Sequence, residues 1–147
     1  MKIEESLVLF NVDVHSKEEI IETLAFKLFQ NGFVTKDYIT DTIKREQQYP
    51  TGLPTKPYGI AIPHTDSETV IDSKIAFANL KTPIPFKSMS NANEEIPIKI
   101  IFMLALNSSK RQIETIQNLM ALFRNEKNVE ELGKVRNIND LKKLIKI

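Results

Sequence analysis

Ile96-Pro-Ile-Lys-Ile-Ile-Phe-Met-Leu-Ala-Leu106 is apolar at nearly every position, and it is the segment that says most about the fold. A strand buried on both faces of a sheet has this continuous pattern, whereas a buried helix is the competing interpretation. The many β-branched residues, and the capping serines Ser108 and Ser109 that follow, favour the strand. We therefore predict a central strand over residues 96–106.

Shorter apolar runs before this strand alternate with segments of helical periodicity. The runs predict strands over residues 7–12, 59–62, 75–80 and 84–86, the last two separated by a break at Pro83. Caps and spacing predict five helices, at 16–31, at 36–48, from Ser108 or Ser109, at 128–133 and at 139–147. Strands that alternate with helices indicate an α/β domain whose sheet is covered on both faces.

The predicted helices carry their apolar residues on one face, which is typical of packing against a core. In the helix that follows the central strand, one stripe is formed by Ile113, Ile116, Leu119, Met120 and Phe123. Residues 49–58 contain three prolines and a glycine, so this segment is predicted to be a loop without regular structure.

A histidine follows the short apolar run in Tyr58-Gly-Ile-Ala-Ile-Pro-His64-Thr-Asp66. Pro63 lacks an N–H and favours extended backbone at Ile62, so strand pairing should stop there and the chain should turn outward at His64. Loops at strand ends often hold reactive groups, because the sheet fixes where they start. By position alone, both a hydrogen-bonded structural histidine and a reactive one fit.

Composition limits the other functions of this chain. Its 147 residues, 41% hydrophobic and 27% charged, predict one domain over residues 1–147. The net charge of +1 gives no strong global field for binding nucleic acid or an anionic membrane, which leaves only a local patch open. The chain has no cysteine and only His15 and His64, so neither a metal nor a cofactor is expected. No apolar run reaches the ~20 residues that span a bilayer, so a soluble, cytoplasmic protein is expected.

Three motifs carry a resemblance to a known family: Arg45-Glu46, Pro50-Thr51-Gly52 and Gly59-Ile-Ala-Ile-Pro-His64. Their combination resembles the phosphorylation-site signature of enzyme IIA domains of the sugar phosphotransferase system (PTS), in the fructose and mannitol type superfamily. Residues 45–52 resemble the galactitol-like branch more closely. The resemblance covers essentially the whole chain and implies a single α/β domain whose mixed sheet is flanked by helices on both faces.

The resemblance also implies a cytoplasmic phosphocarrier. His64 would accept a phosphoryl group from the carrier protein HPr and pass it to enzyme IIB, which serves the membrane component enzyme IIC. Arg45 would contact phosphate oxygens. From the residues alone, Arg45 fits a helix C-terminal cap or a partner of Asp41 better. The implied sugar is galactitol or a galactose-related compound.

Several residues around this signature have secondary roles. Thr51 and Thr65 are candidates for hydroxyl contacts, with Thr65 the better by adjacency. Gln112 stands where the family often carries a second histidine, and a glutamine cannot change charge. His15, beside the predicted cap at Ser16, is expected to be structural. Acidic residues near the site are candidates for docking a basic donor protein: Asp66, Glu68, Glu94 and Glu95.

Three other functions remain open from the sequence. One is a regulatory enzyme IIA-like domain whose phosphorylation signals nitrogen or sugar supply. Another is a non-enzymatic binding module in which residues 59–64 only close a core strand. A hydrolase with His64 as general base is the weakest, because no nucleophile motif such as Gly-x-Ser-x-Gly is present.

Overall fold

The computed structural model describes residues 3–145, within which the chain forms one mixed sheet of five strands. The strands are β1 (Val8–Val12), β2 (Gly52–Leu53), β3 (Gly59–Ala61), β4 (Lys74–Lys87) and β5 (Glu95–Ala105). Their order is β1-β4-β5-β3-β2, with parallel pairing of β1 with β4 and of β3 with β5, and antiparallel pairing of β4 with β5 and of β2 with β3. The predicted central strand is therefore confirmed as β5.

Helices cover both faces of the sheet, as predicted. They are α1 (Lys17–Gln30), α2 (Asp37–Gln48), α3 (Ser109–Phe123), α4 (Glu126–Lys134) and α5 (Ile138–Leu144). The predicted caps are present: Ser16 accepts from the Glu19 amide at 3.2 Å, and Ser108 from the Arg111 amide at 3.1 Å. The end of the last predicted helix, residues 146 and 147, lies outside the described residues.

Each face of the sheet has its own hydrophobic core. On one side α1 and α2 pack against the sheet through residues such as Leu24 and Tyr38. On the other side, Phe77 and Phe102 lie with ring centroids 5.1 Å apart, and Phe102 lies 5.4 Å from Phe123 of α3. This aromatic row ties the helices of the second face to the centre of the sheet. None of the helices within residues 3–145 has the length and hydropathy needed to cross a membrane.

The predicted break at Pro83 is wrong, because residues 74–87 form one strand. The pairing of β4 with β5 shifts register between Asn79 and Ile84 and then resumes. Pro83 lies in this irregular segment, where the lack of an N–H breaks no hydrogen bond of the strand ladder. Beyond it Pro85 lies opposite Pro97. The strand therefore continues through a segment whose prolines suggested two separate strands.

Two further expectations are corrected. Residues 49–58 are not entirely irregular, because Gly52 and Leu53 form β2 beside β3. A Cβ at Gly52 would lie 2.6 Å from the Lys87 carbonyl oxygen, so only glycine lets these backbones approach so closely. In α3, the buried residues are Thr115, Leu119 and Phe123, and their spacing turns Ile113 out to 58% exposure.

Candidate functional site

The end of β3 fixes the backbone of His64. The Leu104 amide donates to the Pro63 carbonyl at 3.0 Å, and His64 forms an isolated parallel bridge with Leu104. Strand pairing was expected to stop at Pro63, but it continues for one more bridge, at His64. This is allowed because proline lacks an N–H donor while its carbonyl oxygen can still accept. From α2, the buried Tyr38 hydroxyl donates to the Leu104 carbonyl at 2.7 Å. The histidine is thus anchored through β5 and does not hang on a free loop.

The His64 ring is half-buried and held in one orientation. Its Nδ1 lies 2.8 Å from the Ile62 carbonyl oxygen. A carbonyl oxygen can only accept, so Nδ1 carries the proton and Nε2 carries the lone pair. Nε2 has no hydrogen-bond partner among residues 3–145 and is not sealed from solvent. The ring therefore presents an unprotonated nitrogen outward.

The surroundings of the ring favour its neutral form. Burial lowers the pKa of His64, and the nearby positive charge of Arg45 lowers it further. The hydrogen bond to Ile62 and the charge of Asp66 act in the opposite direction, but burial is the largest effect. His64 is therefore a neutral imidazole at physiological pH, and it stays neutral at lower pH than a free histidine does.

Arg45 lies beside this ring, in the last turn of α2. Both side chains line an open cavity of about 400 Å³, which we call the histidine cavity. Arg45 Nη1 lies 3.3 Å from Asp66 Oδ1, and its guanidinium lies 5.0 Å from the centroid of the Tyr49 ring. Its partner is thus Asp66 and not Asp41. The pair is weak, because the two side chains are 37% and 79% exposed.

Glu46 is a residue of the site whose importance the sequence did not reveal. It is only 2% exposed, and it accepts from both the amide and the hydroxyl of Thr51 at 2.7 Å. Burial raises the pKa of Glu46 to about 7. The Thr51 hydroxyl in turn accepts from the Ile62 amide at 3.2 Å. Because its one proton goes to Glu46, this hydroxyl has no proton left to donate to a ligand, although Thr51 also lines the histidine cavity.

Thr65 and Gln112 contact each other next to His64. Gln112 Nε2, in the first turn of α3, donates to the Thr65 carbonyl at 3.0 Å, and the Thr65 side chain is buried. Gln112, at the position where the family often carries a second histidine, therefore holds the backbone of Thr65, the residue that follows His64. Among the described residues, the acidic candidates Glu68, Glu94 and Glu95 neither pair with Arg45 nor line the histidine cavity.

The charges around His64 give a prediction that needs no partner protein. Replacing Arg45 by glutamine removes a positive charge that opposes protonation of the ring, so the pKa of His64 should rise. Replacing Asp66 by asparagine removes a negative charge that favours protonation, so the pKa should fall. An NMR titration of the ring signals measures both shifts, with the exposed His15 as internal reference. Shifts of the opposite sign would contradict this description of the site.

The comparisons with known proteins assign this fold to a class of phosphotransfer domain. The whole chain, residues 1–147, matches the family described as "Phosphoenolpyruvate-dependent sugar phosphotransferase system, EIIA 2". The chain belongs to this family, which confirms the resemblance found in the sequence at that level.

Three relatives illustrate the range of this family. The chain is 31% identical over 134 residues to the transcriptional regulator ManR of Bacillus subtilis, covering 90% of this chain but only 19% of that protein. It is 28% identical over 137 residues to the mannitol-specific phosphotransferase enzyme IIA component of B. subtilis, covering 91% and 89% of the two chains. The Escherichia coli complex of enzyme IIAMtl and phosphorylated enzyme IIBMtl matches the fold with a TM-score of 0.78, at 20% identity over 97% of this chain and 96% of that one.

These relatives do not support the galactitol-like branch. One is mannitol-specific, one is the E. coli enzyme IIAMtl in complex with enzyme IIBMtl, and the third is a regulator. The resemblance of residues 45–52 to that branch therefore rests on a short segment alone. The mixed sheet flanked by helices, in contrast, is shared with the mannitol-type structure.

Proposed function

We propose that this chain is a cytoplasmic phosphocarrier that accepts a phosphoryl group on Nε2 of His64 from phospho-HPr and passes it to an enzyme IIB. The observation that carries the proposal is the hydrogen bond from His64 Nδ1 to the Ile62 carbonyl at 2.8 Å. It leaves the lone pair on Nε2, and burial keeps the ring neutral. An imidazole in this state is a nucleophile near neutral pH.

The transfer needs no proton to move at His64. The Nε2 lone pair attacks the phosphorus atom, an N–P bond forms on His64, and the N–P bond on the donor histidine breaks. Positive charge then develops on the ring, and the Nδ1–H bond to Ile62 becomes stronger because its donor is now charged. The same steps in reverse order hand the phosphoryl group to the acceptor nucleophile of enzyme IIB. The N–P bond on His64 can be broken again because the imidazole, which keeps its proton on Nδ1, leaves as a neutral group.

Arg45 would stabilise the charge that moves with the phosphoryl group, and its position on the lining of the histidine cavity supports this role. Phosphoryl transfer depends on positioning and on donors aimed at the equatorial oxygens, and a guanidinium offers a planar fork of donors. The exposed contact with Asp66 holds Arg45 beside the cavity at little energetic cost. We propose that phosphate oxygens replace Asp66 as partners of Arg45 during transfer.

The rim of the histidine cavity fits a protein partner better than a small ligand. Tyr49 and Met89, which line the cavity, are 58% and 41% exposed, and exposed apolar side chains of this size mark contact sites. Asp66, Glu68, Glu94 and Glu95 remain candidates for the acidic part of the docking surface. The E. coli relative was solved as a complex with phosphorylated enzyme IIB, which supports an enzyme IIB as acceptor.

The relatives also bear on the transported sugar and on a second candidate function. A mannitol-type polyol is favoured as the transported sugar by the enzyme IIA relative, ahead of galactitol or a galactose-related compound. A regulatory role is the second candidate function, because a transcriptional regulator carries a segment 31% identical to this chain. In that role, the phosphoryl group on His64 would report sugar supply to another protein.

Mixing the purified chain with phosphorylated HPr tests the proposal. We expect intact-mass spectra to show the addition of one phosphoryl group, labile in acid as expected for a phosphoramidate. Adding an enzyme IIB with its membrane component and sugar should then move the label to the sugar. A label that stays on the chain selects the regulatory role, and absence of any addition selects a non-enzymatic binding module and overturns the proposal.

A further inference from the structure

A continuous set of hydrogen bonds runs from the interior of α2 to the His64 ring. Glu46 accepts from the Thr51 hydroxyl at 2.7 Å, this hydroxyl accepts from the Ile62 amide at 3.2 Å, and the Ile62 carbonyl accepts from His64 Nδ1 at 2.8 Å. The Thr51 amide adds a second bond to Glu46 at 2.7 Å. The bonds at the two ends of the set are local in the sequence, and the bond between Thr51 and Ile62 joins the two segments.

These bonds leave the Thr51 hydroxyl no freedom. Its single proton is donated to Glu46, and its lone pair receives the Ile62 amide, which lies just past the last residue of β3. Ile62 is fully buried, so its amide would otherwise lack a partner. The position of Ile62 thus depends on Thr51, and the orientation of Thr51 depends on Glu46.

We infer that Glu46 and Thr51 are positioning residues that, through Ile62, hold His64 with its proton on Nδ1 and its lone pair on Nε2. The Ile62 amide and carbonyl belong to two different peptide groups, so this effect is mechanical and no charge is relayed. The placement of Glu46 explains its burial: both carboxylate oxygens are used as acceptors for Thr51. The expected effect on the phosphorylation rate rests on the proposed function, whereas the expected effect on the protonation of the His64 ring does not.

The test compares matched variants at positions 51 and 46. Thr51→Val removes the hydroxyl with little change of shape, Thr51→Ser keeps it, and Glu46→Leu removes both acceptors. Thr42→Val is the control, because Thr42 is also buried on α2 but lies outside this set of hydrogen bonds. Circular dichroism and thermal unfolding establish which variants are folded. If Glu46→Leu does not fold, the two Thr51 variants decide.

The first readout is the pair of ring nitrogen signals of His64 in ¹⁵N NMR spectra, which report which nitrogen is protonated. We expect wild type, Thr51→Ser and Thr42→Val to show the proton on Nδ1. In Thr51→Val and Glu46→Leu the signals should move toward those of the exposed His15, whose ring forms no hydrogen bond with residues 3–145. This measurement needs no phosphoryl donor.

The second readout is the rate of phosphorylation by phospho-HPr. We expect Thr51→Val and Glu46→Leu to be about ten-fold slower, because small displacements of a reacting group are costly in rate. Thr51→Ser should restore the wild-type rate to within about two-fold. Folded Thr51→Val with unchanged ring signals and an unchanged rate would overturn the inference. If wild type itself takes up no phosphoryl group, the proposed function fails, and the ring signals alone still decide the positioning role.

Discussion

Replacing His64 by glutamine is expected to abolish phosphoryl acceptance, with a loss of more than about 1,000-fold. Glutamine keeps polar atoms in the half-buried position, and its amide nitrogen can still donate to Ile62. It has no ring nitrogen with a free lone pair, so no N–P bond can form. The measurement is the intact mass of the variant after incubation with phospho-HPr under conditions that fully modify wild type.

His15 provides the matched control for this experiment. It is the only other histidine of the chain, it is exposed, and its amide takes part in the capping of α1 through Glu19 at 3.3 Å. We expect His15→Gln to accept one phosphoryl group as wild type does. A phosphoryl group found on the His64→Gln variant, or lost with His15→Gln, would show that the acceptor has been misplaced.

Replacing Arg45 by methionine is expected to slow phosphoryl transfer about 100-fold, which corresponds to losing one donor aimed at developing charge. Methionine has a similar length and packs like the arginine stem, so the last turn of α2 should be preserved. Arg45→Lys keeps the charge but loses the planar fork of donors. Its transfer rate should lie between those of wild type and Arg45→Met, about ten-fold below wild type. Stopped-flow or quench measurements with phospho-HPr give these rates.

A surface arginine far along the chain serves as the control for charge alone. Arg124 is exposed at the C-terminal end of α3, and Arg124→Met changes net charge by the same amount as Arg45→Met. We expect its transfer rate to equal that of wild type. Equal slowing by both substitutions would mean that Arg45 acts through net charge and long-range steering, and it would contradict direct contact with the phosphoryl group.

The elements of the fold that depend on residues close together in the sequence were predictable. The apolar run at residues 96–106 became β5, and the caps at Ser16 and Ser108 begin the helices expected of them. The continuity of β4 was not predictable, because Pro83 ends a strand in most contexts. Here pairing with β5 resumes after the irregularity and carries the strand past the proline.

The site was predictable in part. The family resemblance, and not the spacing of residues, brought His64 and Arg45 into one hypothesis. The structure places both around one cavity, and their chemical roles stay predictions. Asp66 as the partner of Arg45 was missed, since local spacing favoured Asp41. Glu46 was quoted within the Arg-Glu motif but not singled out. Its burial behind Thr51 leaves no trace in the spacing of residues, so no sequence signal could have separated it from a surface glutamate.

Local patterns in the sequence were enough to predict the helices, the central strand and the place of the histidine after a short strand, but not the continuity of β4 or the presence of β2. The reason is that caps, prolines and apolar spacing act over a few residues. The order of the strands and the partner of Arg45 could be read only from the folded chain, because they depend on contacts between segments that are separate in the sequence. The bond from His64 Nδ1 to Ile62 is local, but the backbone around it is held by contacts with other segments: the Ile62 amide donates to Thr51, and the Leu104 amide of β5 donates to the Pro63 carbonyl. The orientation of the imidazole and its neutral form therefore depend on the assembled sheet and α2, and not on the Pro-His motif alone.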